Sequence, residues 1–139
     1  MIAPLVADKS DLEIFALTLY GEARGEGDRG TQAVANVIMN RVNHPDWWGN
    51  DVRSVCLHPY QFSCWNPRDP NLPQMLALDE TNIYYQKAAS FASRAMAGTL
   101  DDITNGGDNY YAVTELTAPY WAKGLTPCAA VGHHLFFKS

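Results

Sequence analysis

A chain of 139 residues, 47% hydrophobic and 18% charged, is long enough to bury a core, too short for two comfortable domains, and shows no disordered or low-complexity composition. Ten basic against 15 acidic residues give a formal charge of −5, which excludes the basic footprint that nucleic-acid phosphates require and offers no general attraction to an anionic wall or membrane. The expectation is one domain over 1–139 with one active centre.

At the start of the chain, residues 1–8 lack the basic opening and long apolar stretch of a signal peptide, and no apolar run approaches the roughly 20 residues of a membrane-spanning helix. Synthesis in the cytoplasm without a signal peptide, and no stable membrane insertion, are expected. Ser10 followed by Glu13 reads as a capping box, and Leu12, Phe15, Ala16, Leu19 and Ala23 then recur at the spacing of one helical face. Gly21 and Gly25 weaken the end of this helix, and the stretch from Gly25 to Gly30 is turn-prone enough to reverse the chain.

A second helix is expected from about Thr31 to Val42, striped by Val34, Val37, Ile38 and Val42, with Ala33 and Ala35 admitting a close neighbour. It should pack on the first as a hairpin and end at Asn43-His44-Pro45-Asp46. A short helix over Asp51 to Leu57 follows before His58-Pro59. Gln61 to Pro73 reads as a long irregular loop whose aromatics argue against disorder. A further helix from about Thr81 to Ala97 is expected to be a central scaffold, with Ile83, Ala88, Phe91, Ala95 and Met96 in the core and Gly98 as its stop.

Beyond it, the β-prone runs Tyr110-Tyr111-Ala112-Val113 and Ala130 to Phe137, punctuated by glycine and proline, predict a small antiparallel sheet. The fold class is therefore α+β, mostly helical, with the sheet in the C-terminal third. Cys56, Cys64 and Cys128 are odd in number, widely spaced and without a CxxC pair, so they read as free or buried thiols.

The chemistry centres on Glu22. It lies three residues after Leu19 and seven after Phe15, so on a helix it borders the face that packs into the core. Burial, and the partial negative charge of a helix C-terminus, both disfavour its ionised form. A carboxyl kept protonated near neutral pH is what glycosidic cleavage needs, because the leaving sugar oxygen must gain a proton as the bond breaks. The competing reading of the same spacing is an exposed helix-end glutamate paired with Arg24 or Arg41.

The run Leu17-Thr18-Leu19-Tyr20-Gly21-Glu22-Ala23-Arg24-Gly25-Glu26, followed by Gly30 to Val42 with its Asn40-Arg41-Val42 ending, closely resembles the SleB/CwlJ-type cell-wall hydrolases, which include spore-cortex-lytic enzymes. Gln61-Phe62-Ser63, Tyr110-Tyr111 and Gly132-His133-His134-Leu135-Phe136-Phe137 extend the resemblance over nearly the whole chain. It implies a lysozyme-like catalytic domain that cuts peptidoglycan glycan strands between N-acetylmuramic acid and N-acetylglucosamine. The usual outcome is that of a lytic transglycosylase, giving 1,6-anhydromuramic acid, with Glu22 as general acid/base and no cofactor. Gln61, Phe62, Ser63, Trp65, Tyr110, Tyr111 and His134 are the expected substrate-binding set.

Alternatives stay open at this point. Glu26, four residues on, is the rival second carboxylate, with Asp28 behind it, and either acting as nucleophile or base would make the chain a hydrolytic muramidase. The other reading of Glu26 is structural, as a loop holder or helix cap. A non-catalytic glycan-binding module or a virion structural protein is the competing class. Trp47, Trp48, Trp65, Tyr120 and Trp121 are candidate sugar platforms or core aromatics. His44, His58, His133 and His134 show no zinc-binding spacing, and His133 and His134 in one strand would face opposite ways. No metal is expected. A monomer acting on the wall after release, as a phage endolysin does, or after export by other means completes the reading.

Overall fold

The structure, a computed structural model, describes residues 3–114 and 117–139. Helix α1 (Asp11–Ala23) starts on the capping box foreseen for it: the Glu13 amide donates to Ser10 Oγ at 3.1 Å and the Ser10 amide to Glu13 Oε1 at 2.9 Å. Phe15, Ala16, Leu19 and Ala23 are buried, but so are Ile14, Leu17 and Thr18. Only the first turn, with Leu12 37% exposed, reaches solvent on that stripe. A helix apolar on nearly every side must be surrounded, and α1 is the one that packs against α2 (Gly27–Asn43), α3 (Val52–Leu57), α4 (Leu72–Leu76) and α5 (Ile83–Met96). The central scaffold is therefore α1. Helix α5 buries Tyr85, Ala88, Phe91, Ala92 and Ala95 along one face. Its ends overhang the core, leaving the expected core residues Ile83 and Met96 exposed.

The reversal after α1 takes less chain than its glycines suggest. One 3-10 turn over Arg24–Glu26 suffices, and α2 begins at Gly27, whose φ of 74° is a left-handed conformation that side chains rarely adopt. Gly30 then lets the chain pass close by, since a Cβ there would stand 2.4 Å from Glu26 Cβ.

Helix α2 separates two apolar clusters. Val34, Ala35 and Ile38 face α1 and the main core, while Ala33 and Val37 face Val131 and Phe136 of the sheet. The segment expected to be a long loop contains a 3-10 turn at Ser63–Trp65 and the helix α4, which Pro73 opens rather than interrupts. A proline in the first helical turn loses no hydrogen bond.

The sheet has three antiparallel strands, β1 (Asn109–Ala112), β2 (Ala129–Val131) and β3 (His134–Phe137), in the order β1-β3-β2. The single β-prone run from Ala130 to Phe137 is split by a two-residue connection, with Val131 opposite His134 and Gly132 at φ 56°. The register sets Tyr110 opposite Phe136 and Ala112 opposite His134. Among the described residues no helix is long and apolar enough to cross a membrane, and all three cysteines are free, Cys56 and Cys64 buried and Cys128 partly so.

Candidate active site

The site begins with a missing side chain. Gly21 lies one residue before Glu22 in the last turn of α1, and a Cβ on it would come within 2.5 Å of Cys64 Cβ and 2.8 Å of its Sγ. Only glycine lets the 61–65 segment approach α1 this closely. The approach places the Cys64 backbone N–H where it donates to Glu22 Oε2 at 3.3 Å. From the other side, the Tyr110 hydroxyl on β1 donates to Glu22 Oε1 at 3.3 Å.

Burial pushes the Glu22 carboxyl above its ordinary value. The two hydrogen bonds from Cys64 and Tyr110 favour the ionised form and oppose that rise, while the Asp69 charge adds to it. Tyr110 is itself pushed well up, first by burial and then by Glu22, so its hydroxyl keeps the proton it donates. Neither arginine considered as a partner pairs with Glu22 among the described residues. Arg24 lies over the Tyr20 ring, 4.7 Å from its centroid, and donates to the Tyr20 hydroxyl. Arg41 turns towards Asp108, Gln61 and Asn109. The reading of Glu22 as an exposed, ion-paired helix-end residue does not hold.

Glu22 opens into a cleft of about 370 Å³ whose lining includes Arg41, Gln61, Phe62, Asn109, Tyr110, Tyr111 and His134, with Tyr60, Pro119 and Trp121 also on its walls. Of the expected binding set, Gln61, Phe62, Tyr110, Tyr111 and His134 thus share one cavity with Glu22. Two others do not. Ser63 lines a separate, smaller pocket with Gly21, Cys64 and Asp69. Trp65 is a core residue, 4% exposed, whose indole N–H donates to Thr18 Oγ1 at 2.8 Å in the interior. An indole so enclosed offers no face to a sugar, and its donor is already satisfied.

Glu26 is not among the residues that line this cleft. Its carboxylate lies between two histidines, Oε1 3.2 Å from His134 Nδ1 and Oε2 3.6 Å from His133 Nδ1. The two histidines do not face opposite ways, because His133 belongs to the hairpin turn and only His134 to a strand. Glu26 thereby ties that turn to the start of α2. His134 in turn meets the Tyr110 ring edge-on at 5.2 Å. Asp28 is exposed in a different pocket, beside Tyr84 and Lys87.

Of the other aromatics, Trp121 lines the cleft. Trp48 is buried, with its indole N–H on the Arg41 carbonyl at 3.0 Å. Trp47 packs edge-on against Trp48 and His58, and Tyr120 is exposed. Among the described residues no group of three or more histidine, cysteine or acidic side chains is placed to hold a metal.

Five lining residues, Arg41, Tyr60, Asn109, Ala112 and Pro119, were not singled out for binding from the sequence. Arg41 had a signal: it follows Val34 and Ile38 at helical spacing on a core-facing stripe, where a charge is out of place. Asn109 sits just before the Tyr110-Tyr111 pair and carries no mark of its own. Nothing in the sequence marks Tyr60, which is 88% exposed yet holds φ at 64°.

A partly enclosed carboxyl held by two donors can release a proton to a bound group and take one back without moving. The family described as Cell Wall Hydrolase matches residues 25–137, a span that begins just after Glu22. The chain is 31% identical over 132 residues to the spore cortex-lytic enzyme of Bacillus subtilis, covering 91% of this chain and 37% of that protein. With the spore cortex-lytic enzyme of Halalkalibacterium halodurans it shares 30% identity, over 91% of this chain and 34% of that one. The chain thus spans little more than a third of the length of these curated relatives. Among solved structures, the catalytic domain of the germination-specific lytic transglycosylase SleB from Bacillus anthracis superposes with a TM-score of 0.70 at 26% identity, covering 94% of this chain and 95% of that one. The catalytic domain of the Bacillus cereus SleB protein gives a TM-score of 0.70 at 27% identity, over 92% and 89%. With most of its length matched by the family and its fold shared with these domains, this chain belongs to the SleB/CwlJ-type cell wall hydrolases.

Proposed function

We propose that this chain is a peptidoglycan lytic transglycosylase in which Glu22 acts alone as general acid and then general base. The observation that carries the proposal is that Glu22, with its carboxyl pushed upward by burial, is the only carboxylate among the described residues lining the cleft. A retaining or inverting hydrolase needs a second carboxylate facing the same sugar. Glu26, the rival for that role, is taken up by His133 and His134.

In this mechanism protonated Glu22 gives its proton to the glycosidic oxygen between N-acetylmuramic acid and N-acetylglucosamine, and the C1–O bond breaks with oxocarbenium character at C1. The Glu22 carboxylate left behind is held by the Cys64 amide and the Tyr110 hydroxyl. It then removes the proton of the sugar's own C6 hydroxyl as that oxygen closes on C1. The products are a 1,6-anhydromuramyl end and a free N-acetylglucosamine end, with Glu22 reprotonated and no water consumed. The superposed Bacillus anthracis domain is that of a lytic transglycosylase, which supports the same reading.

Mass spectrometry of muropeptides released from purified sacculi tests it. The expected products carry 1,6-anhydromuramic acid, one water lighter than a reducing end. Reducing ends alone would replace the transglycosylase with a hydrolase, and release of nothing would favour a glycan-binding or structural module.

A further inference from the structure

Arg41 is buried in the wall of the cleft and spends its guanidinium on three oxygens. Nε donates to the Asp108 carbonyl at 2.7 Å, Nη1 to Gln61 Oε1 at 3.3 Å and Nη2 to Asn109 Oδ1 at 3.3 Å. The rings of Trp48 and Phe62 lie 5.3 and 5.6 Å from its Cζ, and no carboxylate pairs with it among the described residues. It is a fixed positive charge held by aromatic faces and amide oxygens.

This arrangement decides how two amides are turned. A guanidinium donates through every nitrogen and accepts through none, so the amide atom facing it must be oxygen. The Gln61 and Asn109 NH₂ groups therefore point away from Arg41. Asn109 spends one hydrogen on Asp108 Oδ1 at 2.8 Å. Gln61 Nε2 has no acceptor among the described residues and is not buried, and the residue that carries it lines the cleft.

We infer that Arg41 is a positioning residue that sets substrate specificity: it locks Gln61 as a hydrogen-bond donor to the cleft, so that this wall takes the carbonyl of a sugar N-acetyl group and rejects the ammonium of a de-N-acetylated amino sugar. A carbonyl oxygen completes the Gln61 donor, whereas an ammonium brings donors against donors and a positive charge towards Arg41. The inference rests on the proposed action on peptidoglycan and adds a chemical preference to it.

The test uses the purified chain on two preparations of the same sacculi, one fully N-acetylated and one chemically de-N-acetylated, with initial rates of muropeptide release as readout. Gln61→Glu is the informative variant, because it keeps an oxygen for Arg41 while replacing the outward NH₂ by an acceptor. Wild type should favour the acetylated wall by about tenfold or more, and Gln61→Glu should lower that rate by about tenfold, as loss of one hydrogen bond next to a charge implies. The ratio between walls should shrink or invert in the variant. A merely structural defect would slow both walls alike and leave the ratio unchanged. Equal wild-type rates on the two walls, or an unchanged ratio in Gln61→Glu, overturn the inference while leaving the glycosidase reading intact. Wild type inert on both walls would overturn the two together.

Discussion

The Tyr110 hydroxyl donates to Glu22 Oε1 at 3.3 Å, joining the last turn of α1 to β1 across 88 positions of sequence. This bond favours ionised Glu22 and works against the burial that raises its pKa. Tyr110→Phe removes it, so the Glu22 carboxyl should rise further. Because catalysis begins from the protonated acid, kcat/KM falls as pH rises through the pKa of Glu22, and in Tyr110→Phe that falling limb should move to higher pH. The loss of a donor to the carboxylate should also lower kcat by about tenfold. A pH–rate profile of both proteins checks the direction.

The same raised pKa has a consequence for stability. A carboxyl whose folded pKa exceeds its unfolded value, here near 4.5, contributes stability that is present below the unfolded value and lost as pH rises through the folded one. Above its folded pKa, wild type therefore bears a largely enclosed charge that glutamine lacks. The melting temperature of Glu22→Gln should gain on that of wild type as pH rises above the ordinary carboxylate range, and the gain should vanish below that range. Thermal unfolding as a function of pH measures it, and a difference between the two proteins that does not grow in favour of Glu22→Gln as pH rises would contradict the assigned shift.

Gly21→Ala places a methyl where Cys64 Cβ and Sγ already stand, 2.5 and 2.8 Å away. Overpacking of this kind costs about 1–3 kcal/mol. Activity should fall further than the stability loss accounts for, because the 61–65 segment carries both the Cys64 amide and Gln61. Residual activity compared at a temperature where the variant is fully folded separates the two effects.

Glu26→Gln separates the two roles considered for the second carboxylate. If Glu26 only ties the β2–β3 turn to α2 through His133 and His134, the variant should keep at least about a tenth of wild-type kcat on sacculi, since general-base or nucleophile loss costs about a hundredfold or more. It should also melt slightly lower, in keeping with the loss of a partly exposed contact between a carboxylate and two imidazoles.

The helical plan was legible because each signal was local. The Ser10–Glu13 box starts α1, Asp51 caps α3, and Gly98 follows the end of α5. The division of labour between helices was not, since α1 and α5 both carry apolar faces and only their packing shows that α1 is enclosed while Ile83 and Met96 overhang. The burial of Glu22 was legible through its place beside the core stripe of α1, and its candidacy as the acid through the resemblance carried by the run from Leu17 to Glu26. Its two donors were not, because a backbone amide 42 positions away and a strand tyrosine 88 positions away meet it only in the folded chain. Trp65 was misread for a similar reason: an aromatic in a proline-flanked segment looks available, and only Thr18 beneath it shows where the indole points. The histidine pair was assigned to one strand because Ala130 to Phe137 has no break in β propensity except Gly132, which turns the chain.

Turnover by Glu22→Gln is the most direct measure of the central claim that this one carboxyl performs both proton transfers. The variant should fold, and it should release muropeptides from purified sacculi at least about a thousandfold more slowly than wild type, in keeping with loss of general acid/base catalysis. A folded Glu22→Gln protein that releases them at an undiminished rate would show that the proton comes from elsewhere.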